Sequence, residues 1–142
     1  MKILISACLM GVNCRYDGER INMEGLEELM RRHTLIPVCP ETLGGLPTPR
    51  EPSELRDGQV FSRSGGNVTD RFRQGAEEAL RLARLYECSY AILKERSPSC
   101  GFGRIYDGSF SGSLTAGNGV CADLLSRAGL TIIGESRIKE LL

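Results

Sequence analysis

A chain of 142 residues with 18 basic and 18 acidic side chains has no net charge at pH 7, so no global field draws it to nucleic acid or an anionic membrane. Its length suits one hydrophobic core, and it is read as a single domain over residues 1–142. It lacks the run of about eighteen apolar residues that a membrane span requires, and its first residues make a poor signal peptide. A soluble, cytoplasmic protein is expected.

Lys2 to Ala7 (KILISA) is a β-branched run that reads as a buried strand closing on Cys8. Gly11 to Gly18 is loop, with Asp17-Gly18 as the turn signal. Asn22 is placed as the cap of a helix from Met23 to about Arg32. Thr34 to Val38 (TLIPV) is a second strand, closing on Cys39-Pro40-Glu41. Pro37 puts it at a sheet edge, because proline has no N–H to give to a ladder. Residues 42–69 read as a long, irregular Gly/Pro-rich loop, of a length that often serves as a lid or binding loop.

Thr69 then caps a helix from Asp70 to about Tyr86, with Phe72, Ala76, Ala79, Leu80 and Ala83 as its inward stripe. Tyr90 to Leu93 is a third strand, running on into Ser97-Pro98-Ser99-Cys100-Gly101. Alternation in Ile105 to Leu114 around Asp107-Gly108 predicts a small hairpin. Gly117-Asn118-Gly119 opens a last helix bearing Val120, Cys121, Leu124, Leu125 and Ala128, with Gly129 as its stop. Leu130 to Ile133 is a fourth strand, and a helical turn follows from Glu135.

Strands alternating with helices define an α/β fold: a mostly parallel four-stranded sheet flanked by helices, Rossmann-like, with a small hairpin and a long Gly/Pro-rich loop. Sites in such sheets lie beyond the carboxyl ends of the strands. Cys8, Cys39 and Cys100 all fall there, so they can converge despite their separation along the chain.

The six cysteines include no CxxC pair. In a reducing compartment they are free thiols or metal ligands. Three thiolates around one point suit a soft centre: an iron-sulfur cluster, zinc or copper(I). Three ligands rather than four leave an open coordination position. Cys121 shares an apolar helix stripe, and Cys88 precedes its strand at the opposite sheet edge, so both read as core. Cys14 is a fourth ligand, a redox partner or a bystander. The sole histidine, His33, lies on a helix leading away from the site, which disfavours His-based metal sites and Ser-His catalysis.

Glu41, two residues past Cys39, suits proton transfer, or is an ordinary loop carboxylate. Ser97 and Ser99 flank Pro98, a position that permits a cis peptide. Their hydroxyls either donate to a substrate or bond the local backbone. Arg50 is a candidate contact for an anionic or carbonyl-bearing ligand, or a plain surface arginine. Gly117-Asn118-Gly119 is a weak anion signal, explained equally well as a helix entry.

Taken in order, Ser6-Ala7-Cys8-Leu9-Met10-Gly11, Arg15-Tyr16-Asp17-Gly18, Val38-Cys39-Pro40-Glu41, Gly44-Gly45-Leu46-Pro47 and Ser97-Pro98-Ser99-Cys100-Gly101 resemble the thiouracil desulfidases (TudS-like proteins), over nearly the whole chain. The resemblance implies a 4Fe-4S cluster held by Cys8, Cys39 and Cys100, its fourth iron free of protein ligands. A thiolated base such as 2-thiouracil would bind that iron through sulfur. Water would then attack the carbon and sulfide would leave, with Glu41 and Ser97 giving acid-base help. The net reaction is a hydrolysis that needs no electron donor.

Cys14 falls where members of that family vary. Relatives acting on thiolated tRNA carry a second domain that this sequence lacks, so a small thiolated base is the expected partner rather than nucleic acid. The alternatives are a sulfur carrier or cluster-handling protein, and a zinc-binding interaction module with Cys14 as fourth ligand.

Overall fold

A computed structural model describes residues 1–142. In chain order the elements are β1 (Lys2–Ser6), a 3-10 turn (Ala7–Met10), α1 (Leu26–Arg32), β2 (Thr34–Val38), α2 (Pro40–Leu43), β3 (Ser53–Arg56), β4 (Gln59–Ser62), α3 (Thr69–Leu85), β5 (Tyr90–Leu93), β6 (Arg104–Tyr106), β7 (Leu114–Ala116), α4 (Val120–Arg127), β8 (Thr131–Gly134) and a closing 3-10 segment (Glu135–Leu141). Four strands form a parallel sheet in the order β2-β1-β5-β8. The expected α/β architecture is present, with β2 at an edge where Pro37 does no harm. No helix is long and apolar enough to cross a membrane.

Period-two alternation in β1 sorts the core into two layers. Leu4 faces Ala76, Ala79, Leu80 and Ala83 of α3 and Cys121, Ala122 and Leu125 of α4. Ile3 and Ile5 face Leu29 of α1, Leu9 and Ile138. Both faces are covered, which is why these short strands read as continuous apolar runs rather than alternating ones. The α3 stripe is buried as expected, with Gly75 added to it.

Four expectations need correction. Residues 42–69 are not all irregular. They contain α2 and an antiparallel hairpin, β3 with β4, turning at Asp57-Gly58, where both residues have positive φ (52° and 76°). A two-residue turn with φ > 0 twice matches the strand twist, and Asp-Gly is a favoured pair for it. The first helix starts at Leu26 rather than Met23, because Gly25 sits at φ 86° and breaks the helical path. The small hairpin expected in Ile105 to Leu114 is present as β6 with β7, but its connection is the whole of residues 107–113 rather than a tight turn at Asp107-Gly108. The N–H groups of Gly108 and Phe110 both donate to buried Glu54 (3.0 and 3.1 Å). The cis peptide lies at Thr48-Pro49 and not at Pro98.

Two backbone approaches set the geometry at the carboxyl edge of the sheet. Helix α2 lies against α3 so closely that a Cβ on Gly75 would stand 1.7 Å from the Pro40 carbonyl oxygen, and one on Gly44 2.0 Å from that of Arg71. The Ser97–Gly101 turn lies on the start of α4. There Pro98 O accepts Val120 N–H (2.9 Å), and Ser99 O accepts Cys121 and Ala122 N–H (2.8 and 3.0 Å). These bonds satisfy donors that a helix start leaves unpaired. The approach through Gly119 is therefore a docking point for the turn, and the helix-entry reading of Gly117-Asn118-Gly119 holds.

Candidate functional site

Beyond the strand ends lies a cavity of about 480 Å³. Its floor is made by the chain as it leaves three parallel strands. Cys8 follows β1 in the 3-10 turn, Cys39 follows β2 at the entry to α2, and Cys100 lies in the turn after β5. All three line the cavity, and so does Cys14, which is 6% exposed. Cys88 and Cys121 are buried in the core between the sheet and α3/α4 and do not line the cavity. The structure thus gathers the three thiols that strand ends had marked, and adds a fourth from the loop after β1. His33 is elsewhere: its Nε2 meets the Leu141 carbonyl oxygen at 2.8 Å.

Burial and hydrogen bonding separate the four thiols. Burial pushes Cys8 up to about 11 and Cys100 up to about 12, although hydroxyls of Ser6 and Ser99 partly offset the effect at Cys100. Cys39 is held down at about 6. A hydrogen bond from the Cys14 thiol favours its thiolate first, burial opposes, and Thr42 adds a hydroxyl and an N–H. Cys14, the donor in that pair, is raised. As a thiol, Cys39 can instead donate to the Cys14 carbonyl oxygen (3.7 Å).

Glu41 sits in the first turn of α2 with both carboxylate oxygens engaged. Arg50 Nε donates to Oε1 (3.0 Å) and Ser99 Oγ donates to Oε2 (3.0 Å). An ionised carboxylate only accepts, so Ser99 is the donor in that bond, with Cys100 Sγ as its longer alternative acceptor (3.6 Å). Ser97, 3.0 Å from Ser99, must then be the donor between the two hydroxyls. Ser97 Oγ in turn accepts the N–H groups of Ser99 and Cys100 (3.1 Å each). The result is a directed chain, Ser97 to Ser99 to Glu41, along one wall of the cavity.

The lining also holds an ion-paired seam. Lys94 Nζ meets Glu135 Oε2 at 2.8 Å, Glu135 Oε1 accepts Glu95 N–H (2.6 Å), and Ser136 donates twice to Glu95 (2.9 and 2.8 Å). Sequence reasoning reached Cys8, Cys39, Cys100, Glu41 and Ser97, and held Cys14, Ser99 and Arg50 open. It missed Lys94, Glu95 and Glu135, which carry no local signal and meet only because β5 and β8 are neighbours.

The donor set fits a polynuclear thiolate-bound centre. Its ligands are soft and backed by core, and cysteine thiolates are the usual anchors of iron-sulfur clusters. Fold and site together define an open parallel α/β protein with a thiol-lined pocket at its topological switch point. Residues 3–137 match the model of the 2-thiouracil desulfurase family, and the chain belongs to that family.

It is similar to a solved structure described as a [4Fe-4S]-dependent thiouracil desulfidase, TudS, at 45% identity and a TM-score of 0.93, covering 99% of this chain and 94% of the other. It is also 41% identical over 150 residues to the uncharacterized protein YbbK of Bacillus subtilis (strain 168), covering 99% of each.

Proposed function

We propose that this chain is a desulfidase of a small thiolated base of the 2-thiouracil kind, with Cys8, Cys39 and Cys100 holding a 4Fe-4S cluster through three of its irons. The observation that carries this reading is the convergence of those thiols on one cavity whose wall also bears Glu41, Ser99 and Ser97. Held by those thiolates, the cluster would supply Lewis acidity toward the thiocarbonyl sulfur of a substrate.

The chain's own groups then manage binding and protons. Glu41 faces the cavity from α2 and accepts a proton from the attacking water. Ser97 donates to Ser99 and Ser99 donates to Glu41, so the two hydroxyls hold the carboxylate in place. Exchange of C=S for C=O with release of hydrogen sulfide consumes one water and leaves no electron unaccounted for, so the reaction is a hydrolysis. Six free cysteines support a reducing, cytoplasmic setting. Residues 1–142 act as one functional unit in this reading.

Anaerobic reconstitution followed by incubation with 2-thiouracil tests it. Uracil and sulfide should appear in equal amounts. Cys8→Ser, Cys39→Ser and Cys100→Ser should abolish both products, and Glu41→Ala should reduce the rate by about 10²–10⁴-fold. The place of Cys14 beside Cys39 favours one competing reading, a four-thiolate centre. Retention of iron and sulfide by Cys14→Ser is expected, and their loss would establish the four-thiolate reading instead.

A further inference from the structure

Arg50 is the most heavily bonded side chain in the molecule that the proposed chemistry leaves without a role. Its side chain is 8% exposed although it comes from the Gly/Pro-rich loop. Nε donates to Glu41 Oε1 (3.0 Å), Nη2 to the Cys14 carbonyl oxygen (2.9 Å), and Nη1 to the Pro47 carbonyl oxygen (2.9 Å) and Thr48 Oγ1 (3.2 Å). Its own N–H donates to the Tyr16 carbonyl oxygen (2.8 Å). One guanidinium therefore ties together α2, the loop that carries Cys14, and residues 47–50. A planar fork with five N–H groups can do this, and an ammonium cannot.

We propose that Arg50 is a positioning residue for the acid-base carboxylate. It fixes the Glu41 side chain in the rotamer that Ser99 also holds, so that the carboxylate points at the reacting position, and it locks the Cys14 loop against the Gly/Pro-rich loop. Helix α2 is only four residues long and offers Glu41 little restraint of its own. Ser99 supplies one bond, and Arg50 supplies the opposing one. Four of its five N–H groups are spent on the protein, and in this scheme Arg50 acts through Glu41 rather than on the substrate. The proposal rests on the acid-base reading of Glu41.

The test uses Arg50→Ala, Arg50→Lys, Glu41→Ala and the Arg50→Ala/Glu41→Ala double variant, with the wild type in parallel. Each protein is reconstituted and assayed for iron and sulfide per chain, kcat and KM on 2-thiouracil. For Arg50→Ala we expect full cluster content, little change in KM and a fall in kcat of about 100-fold, the scale of a misplaced catalytic group. The double variant should lose no more than Glu41→Ala alone, since both changes remove one unit. Methylguanidinium should restore part of the activity of Arg50→Ala and none of that of Glu41→Ala. A merely structural arginine would give neither result.

A second readout needs no activity. In a crystal structure of cluster-free Arg50→Ala the Glu41 carboxylate should have left Ser99. Wild-type kcat, losses that add in the double variant, a rate that falls only in proportion to cluster content, or Glu41 still bonded to Ser99 would each overturn the proposal. Should Arg50→Ala fail to fold, Arg50→Lys decides: lowered kcat at full cluster content supports the proposal, and wild-type kcat overturns it. If Glu41→Ala keeps wild-type kcat, the acid-base reading fails, and the crystal structure still decides whether Arg50 positions Glu41.

Discussion

Among the four cavity thiols, Cys39 is the one whose thiolate forms in the neutral range. A thiol held at about 6 by its Cys14 donor is mostly thiolate at neutral pH, while Cys8 at about 11 and Cys100 at about 12 are protonated. The thiolate is the nucleophile. In cluster-free protein at pH 7, iodoacetamide should therefore label Cys39 well ahead of Cys8 and Cys100. The labelling rate should rise through about pH 6 and then level off, which peptide mass spectrometry across pH can follow. Removing the donor with Cys14→Ala should move that midpoint upward toward the ordinary thiol value. An unmoved midpoint would mean that Thr42, and not Cys14, holds the thiolate.

Two elements place the site, and each has a backbone reason. Helix α2 carries Cys39 at its entry and Glu41 in its first turn, and it nests on α3 through the small surfaces of Gly44 and Gly75. Gly75→Ala puts a methyl 1.7 Å from the Pro40 carbonyl oxygen, so α2 must move. We expect a loss of about 1–3 kcal/mol in chemical denaturation, the usual cost of overpacking, together with weaker cluster retention. Similarly, Glu54 pins the loop between β6 and β7 by accepting two N–H groups. Glu54→Ala strands both donors, which should cost about 1–3 kcal/mol, with faster amide exchange confined to residues 108–110.

At the scale of the whole molecule, the thiols that would hold the cluster come from segments separated by much of the chain. A group bound only by the folded state stabilises it by mass action, and metal binding of this kind contributes directly to folding free energy. Reconstituted protein should melt at a higher temperature than cluster-free protein in anaerobic differential scanning calorimetry. That difference should vanish in Cys100→Ser. It should persist in Cys121→Ala, whose thiol is core and whose cost is packing alone.

Local physical chemistry made much of this protein legible in its residues. Strand runs, the α3 stripe and the stop at Gly129 are properties of a few neighbouring side chains. The parallel α/β arrangement then puts every strand-end cysteine at one edge. The β3–β4 hairpin was equally local, with Asp57-Gly58 as its signal, but its strands are polar and offer no apolar run to notice. What only the tertiary structure decided is who meets whom. Ser99 finds Glu41 across 58 residues, Arg50 finds Cys14 across 36, and Glu95 finds Glu135 across 40. Such pairings depend on strand order and loop packing. A side chain's period and propensity carry no record of either, because polar partners are chosen by position in space.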